Sequence, residues 1–163
     1  MTDSNLADSI MRLDAERAIR HLLARYVHYN DEGKFAEVAE LLQYAEFDVA
    51  GNVVSGRAEI EAFLEAGVQR HADGIPRTWH TVANVLIDVD SSGERANSSS
   101  YYTVHQQLED FPLQPIVTGK YLDQFERHDG QWRFTHRAVT VHLLGNLQHH
   151  VKGANEHVMG PGV

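Results

Sequence analysis

The apolar positions in the N-terminal part of the chain recur at the spacing of amphipathic helices. A first helix is predicted from about Leu6 to Asn30, and Gly33 ends it. A short second helix begins at Phe35, and a third follows Ser55–Gly56, a pair that suits a helix start. The apolar faces consist of Ile10, Leu13, Ile19, Leu22, Leu23, Tyr26 and Val27 in the first helix, of Phe35, Val38, Leu41 and Leu42 in the second, and of Ile60, Phe63, Leu64, Gly67 and Val68 in the third. The third helix, which is apolar on one side only, is expected to lie on a sheet.

From Arg77 onward the pattern changes to that of long β-strands, after one earlier hairpin. Residues 46–56 predict the hairpin, with its turn near Gly51 and Asn52. The later strands are predicted at 77–90, at 95–107 and, on either side of a turn at His128–Asp129–Gly130, within 116–145. Because the helices come first and an antiparallel meander follows, the predicted fold class is α+β.

The chain is predicted to be one domain of 163 residues, with a core from about residue 6 to residue 145. Residues 111–115, FPLQP, are predicted to be a loop because they hold two prolines. The last segment, 146–163, has little periodicity. It is predicted to be a tail, free to pack on a neighbouring subunit.

Composition and charge argue against several classes of function. Apolar residues make up 42% of the chain and charged residues 23%, as in an ordinary globular protein. The net charge is −9 and the basic residues are scattered, which argues against nucleic acid as a partner. No apolar run approaches the roughly 18–20 residues of a membrane span, and the acidic N-terminus lacks the apolar core of a secretory signal. We therefore expect a cytoplasmic protein with no membrane partner.

Common catalytic and metal-binding motifs are absent from the sequence. It has no cysteine, and therefore no thiolate metal site or cysteine nucleophile. There is no G-x-S-x-G, no Walker loop and no G-x-G-x-x-G after a strand. Four of the eleven histidines, His142, His149, His150 and His157, cluster near the C-terminus, but no carboxylate at a suitable spacing completes a metal triad. No metal site is predicted, and a surface or interface role is favoured for these histidines.

The row of apolar residues along the first helix ends in a carboxylate. Ile19, Leu23 and Val27 are four residues apart, and Asp31 is the next member of that row. Such a carboxylate either reaches water or needs a partner, and a helix C-terminus is unfavourable for a negative charge. His80, at the start of a strand, is the best candidate for the partner, although a purely structural histidine would look the same.

A pair formed by Asp31 and His80 would have a definite chemistry. A carboxylate bonded to one ring nitrogen fixes the tautomer and leaves the other nitrogen free as a base. Strand alternation places His80 on one face with Val82, Asn84 and Leu86. This face is predicted to be the wall of a pocket.

Two other strands contain candidates for a ligand site. One carries Ser98, Ser100 and Tyr102 on the same face, which either meets a polar ligand or is an exposed surface. Arg137 lies among apolar residues late in the last strand, where it would either neutralise an anion in a pocket or pair on the surface. Strict alternation places Arg137 opposite Phe134, so the pocket location requires a bulge.

Three segments of the chain together resemble a known family. They are RYVHYNDEGKFAEVAELL at 25–42, RTWHTVANVLIDVD at 77–90 and TGKYLDQFERHDGQWRFTHRAV at 118–139. Their order and spacing resemble the SnoaL-like branch of the nuclear transport factor two-like superfamily, over about Asp14 to Gly145. The resemblance implies a cone-shaped, curved antiparallel sheet that is packed on N-terminal helices and encloses a deep central pocket.

Within that superfamily the layout is most similar to scytalone dehydratase and hexachlorocyclohexane dehydrochlorinase, which use an aspartate–histidine dyad. The resemblance places this dyad at Asp31 and His80. Tyr26 stands at the position of a basic residue on the first helix of the dehydrochlorinase, and Arg137 at that of an arginine late in its last strand. Tyr102 stands where the dehydratase has a second pocket histidine.

The resemblance implies a cofactor-independent lyase or isomerase that acts on a small, largely apolar substrate, cyclic compounds included. The predicted catalytic residues are Asp31, His80, Arg137 and Tyr26, and the predicted substrate-binding residues are Tyr102, Asn84, Phe47 and Phe63. His80 would be the general base and Asp31 would orient it.

Two other functions share the same cone. One is that of the non-catalytic small subunit of an aromatic-ring-hydroxylating dioxygenase, and the other is ligand binding without turnover. A curved sheet also exposes a convex face that usually needs covering, so a homo-oligomer, either a dimer or a trimer, is expected. Trp79 is a candidate for that contact.

Overall fold

A computed structural model describes residues 3–154 as three helices and a curved, open six-stranded sheet. The helices are α1 (Asp3–Asp31), α2 (Phe35–Leu41) and α3 (Arg57–Gly67). The strands are β1 (Glu46–Val49), β2 (Asn52–Ser55), β3 (Thr78–Val89), β4 (Arg95–Leu108), β5 (Phe111–His128) and β6 (Gln131–Leu144). Their order across the sheet is β2-β1-β6-β5-β4-β3. The predicted α+β class and the helix-then-meander order are confirmed.

The sheet is mixed because the early hairpin joins it through one parallel pair. Strands β3 to β6 form the predicted antiparallel meander, and β1 pairs with β6 in parallel orientation. Two of the turns have two residues with positive φ, Ala50–Gly51 (51° and 89°) and Asp129–Gly130 (49° and 77°). Turns of this kind match the right-handed twist of the strands that they join.

Helix α1 buries one row of side chains against the sheet. The buried members are Ala15, Ile19, Leu23, Tyr26 and Asn30. Their spacing of three or four residues follows the 3.6-residue turn of the helix, whereas a row of strict four-residue steps drifts out of the core. The last residue of the helix, Asp31, is therefore only partly buried, at the edge of this row.

Bulges in the sheet change which residues face the helices. A register shift between Ala83 and Leu86, with a φ of 52° at Asn84, reverses the alternation of β3. Asn84 and Leu86 are consequently exposed, and Val85 and Ile87 are partly buried in their place. The prediction that Asn84 shares the pocket face with His80 is wrong for this reason.

A second bulge has the opposite consequence for Arg137. His136 pairs with Gln124 and Phe134 with Phe125, so Thr135 is an extra residue in β6. Arg137 therefore lies on the same face as Phe134, and both are fully buried. The bulge that a buried location of Arg137 requires is present.

The predicted loop and the described part of the predicted tail, residues 146–154, both pack on the rest of the fold. Residues 111–115 belong to β5, and the two prolines are tolerated because β6 pairs with β5 only from Val117 onward. Residues 146–154 pack on the end of α3, where Val151 forms an isolated bridge with Val68. Residues 155–163, which include His157, lie outside the described residues.

The outer face of the sheet exposes several large apolar side chains. Trp79 is 71% exposed, and Leu86, Tyr101 and Leu122 are exposed as well. Assembly through this face stays a prediction. Within residues 3–154, every helix is too short or too polar to cross a membrane.

We predict that Gly119→Ala destabilises the fold. A Cβ at this position would overlap the carbonyl oxygen of Thr140 and lie 2.9 Å from its carbonyl carbon, so the β5–β6 pairing would have to shift. Overpacking of this kind costs about 1–3 kcal/mol, and urea unfolding would measure it. Gly67→Ala is the matched control, because a Cβ there has open space and alanine favours a helix. Equal stabilities of the two variants would contradict the prediction.

Candidate active site

Asp31 and His80 are in direct contact at the junction of α1 and β3. The Nδ1 atom of His80 lies 2.5 Å from Oδ1 of Asp31. The same Oδ1 accepts a hydrogen bond from the Thr78 hydroxyl at 2.7 Å, and Oδ2 accepts one from the backbone N–H of His80 at 2.9 Å. The carboxylate is thus bonded at both oxygens, and the imidazole is held at Nδ1.

The local sequence explains why α1 ends at this point. The N–H groups of Gly33 and Lys34 bond to the carbonyls of Asn30 and Tyr29, and Gly33 has a φ of 67°. This is the hydrogen-bond pattern of a Schellman motif, in which glycine ends a helix. Arg70 then donates to the Gly33 carbonyl at 2.7 Å and pairs with Glu65, which fixes the end of α1 against the segment before β3.

The hydrogen bonds at Asp31 overcome the effect of burial on its charge. The side chain is 19% exposed and that of His80 is 10% exposed. Burial by itself raises the pKa of Asp31, but the hydrogen bonds and charge of His80 and the Thr78 hydroxyl outweigh it, so the pKa is lowered overall. Asp31 is therefore an anion at neutral pH, held where it orients the ring of His80.

A cavity of about 230 Å³ lies beside His80, between the sheet and the helices. Because Nδ1 is bonded to Asp31, Nε2 is the nitrogen that His80 can offer to a molecule in this cavity. The wall is mostly apolar, and its polar groups come from a few side chains. Those are Tyr26, Asn30, Thr78, His80, Tyr102, Tyr121 and His150. The predicted substrate-binding residues Phe47, Phe63 and Tyr102 line the cavity, whereas Asn84 does not.

Arg137 lies behind the cavity wall rather than in it. Its guanidinium carbon is 3.8 Å from the ring centre of Tyr26 and 4.0 Å from that of Tyr121, and both tyrosines line the cavity. Its Nη1 lies 3.4 Å from Oδ1 of Asp123. Within the described part of the chain, none of its three side-chain nitrogens makes a hydrogen bond. Arg137 is thus a buried cation that touches the tyrosines from behind.

The pKa values of Asp123 and Tyr26 both depend on burial and on the charge of Arg137. Burial raises the pKa of Asp123 to about 6, although the charge of Arg137 and the Ser98 hydroxyl oppose the rise. Burial also raises the pKa of Tyr26, and the adjacent charge of Arg137 counteracts it in part. Tyr26 is therefore a neutral donor at physiological pH whose ring rests on a cation.

Tyr102 and Tyr121 form a second polar layer of the wall. Their rings are stacked with centres 4.5 Å apart. The Tyr102 hydroxyl donates to the carbonyl of Thr140 at 3.2 Å, and burial raises the pKa of Tyr102 to about 12. The Tyr102 ring is thereby fixed in one orientation by contacts on two sides.

Sequence reasoning missed three residues of the site. Thr78 stands two residues before His80, so strand alternation alone could have placed it beside the same carboxylate. Asp123 lies on the same strand face as the buried Tyr121 and Phe125, so strand alternation could also have predicted that Asp123 is buried. The surface or interface role that was predicted for His150 is wrong, because this residue lines the cavity. It lies in a segment without periodicity, so nothing in the sequence pattern pointed to the cavity. Within residues 3–154, no three histidine or acidic side chains are grouped as metal ligands.

We predict that Asp31→Asn removes a specific part of the dependence of stability on pH. The lowered pKa of Asp31 contributes stability at pH values above its ordinary value of 3.8, and this is lost as the pH falls through the lowered native value. Urea unfolding of the wild type and Asp31→Asn would therefore show a difference in stability that shrinks below about pH 4. The control is Asp88→Asn, at an exposed carboxylate of β3. A difference that stays constant down to pH 2.5 would contradict the prediction.

Comparisons with known proteins agree on the fold. The chain shares 24% sequence identity with an NTF2-like protein with a cystatin-like fold from Novosphingobium aromaticivorans, at a TM-score of 0.71, covering 84% of this chain and 88% of that chain. It shares 25% identity with a candidate scytalone dehydratase from the same organism, at a TM-score of 0.67, covering 83% and 89%.

A dehydrochlorinase has the same architecture at lower sequence identity. The hexachlorocyclohexane dehydrochlorinase LinA-type3 from Novosphingobium barchaimii is 19% identical, at a TM-score of 0.67, covering 89% of this chain and 95% of that chain. A search of curated protein sequences gave no match. The profile of the SnoaL-like domain matches residues 11–138, which is most of the chain. The chain therefore belongs to the SnoaL-like domain family of the NTF2-like superfamily.

Proposed function

We propose that the protein is a cofactor-independent lyase or isomerase in which Asp31 and His80 form a general-base dyad. The observation that supports this most directly is the 2.5 Å contact between the Asp31 carboxylate and His80 Nδ1, beside a cavity that His80 lines. A carboxylate at Nδ1 fixes the proton there, so Nε2 has a free lone pair. An imidazole of this kind is suited to removing a proton from a carbon atom.

The proposed reaction begins with transfer of a C–H proton to Nε2 of His80. The electron pair of that bond forms a carbon–carbon double bond, and the bond to a leaving group on the neighbouring carbon breaks. In a dehydration, the leaving hydroxide takes up the proton from His80 and departs as water, so the ring returns to its neutral state. Asp31 stabilises the imidazolium between these steps without taking the proton.

The cavity supports a small and largely apolar substrate. Its volume of about 230 Å³ is below the roughly 300–1,000 Å³ of pockets that hold drug-sized ligands. Phe47 and Phe63 pack edge to face in its wall, with ring centres 6.1 Å apart. Hydroxylated and halogenated rings of about six members are therefore the compounds to test.

Tyr26 is the proposed donor to an oxygen atom of the substrate, with Arg137 acting through it. The Arg137 guanidinium touches the Tyr26 ring at 3.8 Å but does not line the cavity. A cation behind the ring makes the hydroxyl a stronger donor when negative charge develops on the substrate. In this proposal Tyr26 contacts the substrate and Arg137 is a positioning residue. Tyr102 forms part of the cavity wall.

The test is the dehydration of 3-hydroxycyclohexanone to 2-cyclohexenone, followed by its ultraviolet absorbance, with chlorinated cyclohexanes as a second panel. We predict that His80→Gln lowers kcat by about 10²–10⁴-fold, the usual contribution of a positioned base. His142→Gln is the control, because His142 is exposed at the far end of β6. A His80→Gln variant with the same kcat as the wild type would contradict the proposal. Binding with no turnover of either panel would favour the ligand-binding or small-subunit function.

We also predict that Tyr26→Phe lowers kcat by about 10²-fold, as the loss of one donor to a developing oxyanion does. The KM should change little, because the ring and its contacts with Arg137 remain. Tyr29→Phe is the matched control on α1, since its hydroxyl is bonded to Arg25 and it does not line the cavity. A rise in KM with kcat unchanged would contradict the prediction, because it would show that Tyr26 binds the ground state and the transition state equally.

A further inference from the structure

The segment after β6 is fixed to the body of the protein by main-chain hydrogen bonds. The N–H of Gln69 donates to the carbonyl of His150 at 2.8 Å, and the N–H of Lys152 donates to that of Gly67 at 2.8 Å. The buried Gln106 side chain donates to the carbonyl of His149 at 3.0 Å. Residues 149–152 are therefore anchored from both α3 and β4, and the side chain of His150 has a defined position.

This position is in the wall of the cavity that His80 lines. Leu147, His150 and Val151 all contribute to that wall. The Nδ1 atom of His150 is buried and has no hydrogen-bond partner within residues 3–154. Buried polar groups in folded proteins nearly always have a partner. Because Nδ1 is closed off by protein atoms, Nε2 is the ring nitrogen that His150 can offer to a molecule in the cavity.

The surroundings of His150 keep its ring neutral. Burial, together with the nearby charges of His80 and His71, lowers the pKa of His150 to about 4, although the charge of Asp31 acts in the opposite direction. A neutral imidazole has one N–H donor and one acceptor. It can therefore donate a hydrogen bond without placing a second positive charge beside His80 when that ring takes up a proton.

We propose that His150 binds an oxygen atom of the substrate as a neutral hydrogen-bond donor, on the part of the cavity wall that the C-terminal segment supplies. This inference rests on the proposed function and deepens it, because it narrows the class of substrate. A donor of this kind discriminates in favour of a carbonyl or hydroxyl oxygen and does little for a C–Cl or C–H group. The preferred substrates are then uncharged rings that carry oxygen, ahead of halogenated hydrocarbons of the same size.

The test compares two ring compounds of nearly the same shape, cyclohexanone and methylenecyclohexane, of which only the ketone accepts a hydrogen bond. Their dissociation constants would be measured by NMR titration of the wild type, His150→Leu and His150→Gln, with His142→Leu as the control. We expect the wild type and the control to prefer the ketone. In His150→Leu this preference should fall by about fivefold, the equivalent of one net hydrogen bond, and His150→Gln should retain part of it because an amide also donates.

Each outcome of the test has a separate meaning. A preference for the ketone that is equal in the wild type and His150→Leu would overturn the role of His150 and leave the proposed dyad untouched, because binding requires no turnover. A wild type that binds both rings equally would overturn it as well. If neither ring binds, the cavity is not a site for such molecules, and the proposal for His150 falls together with the substrate class. Backbone amide spectra of each variant would establish that the fold is retained.

Discussion

The hydrogen bonds of one partly buried carboxylate, that of Asp31, hold the helices of this protein against its sheet. Asp31 accepts hydrogen bonds from the Thr78 hydroxyl, the backbone N–H of His80 and the His80 ring. A carboxylate with so little exposure is tolerated only when its oxygens are paired. The end of α1 and the start of β3 are therefore held in one relative position, and the cavity beside them keeps its shape.

Charge is arranged in two layers around an apolar space. The dyad of Asp31 and His80 lies beside the cavity, and the pair of Arg137 and Asp123 lies behind the rings of Tyr26 and Tyr121. The tyrosines separate the buried pair from the cavity and transmit its field to any bound molecule. In the proposed reaction, such an arrangement would stabilise a transition state in which charge develops, since electrostatic interactions are strong in an apolar site.

The fold by itself does not distinguish a catalyst from a binding protein, because one scaffold hosts many functions. The distinction depends on side chains that the cone shape leaves free to vary. In this chain they are the dyad, the tyrosine wall and the segment that brings His150 to the cavity. Leu147 and Val151 accompany His150, so the same short segment contributes both apolar surface and a polar group.

The sequence by itself determined the α+β class and the order of the elements, because these depend on local periodicity. It also led to the hypothesis that Asp31 pairs with His80, because an unpaired carboxylate at that position is energetically unfavourable. Tertiary structure alone decided where Asn84, Arg137 and His150 lie. A single extra residue in a strand reverses every side chain beyond it, and bulges at Asn84 and Thr135 moved one predicted residue out of the cavity wall and another into the core. His150 reaches the cavity through main-chain bonds to α3, and such long-range contacts leave no periodic signal in the sequence.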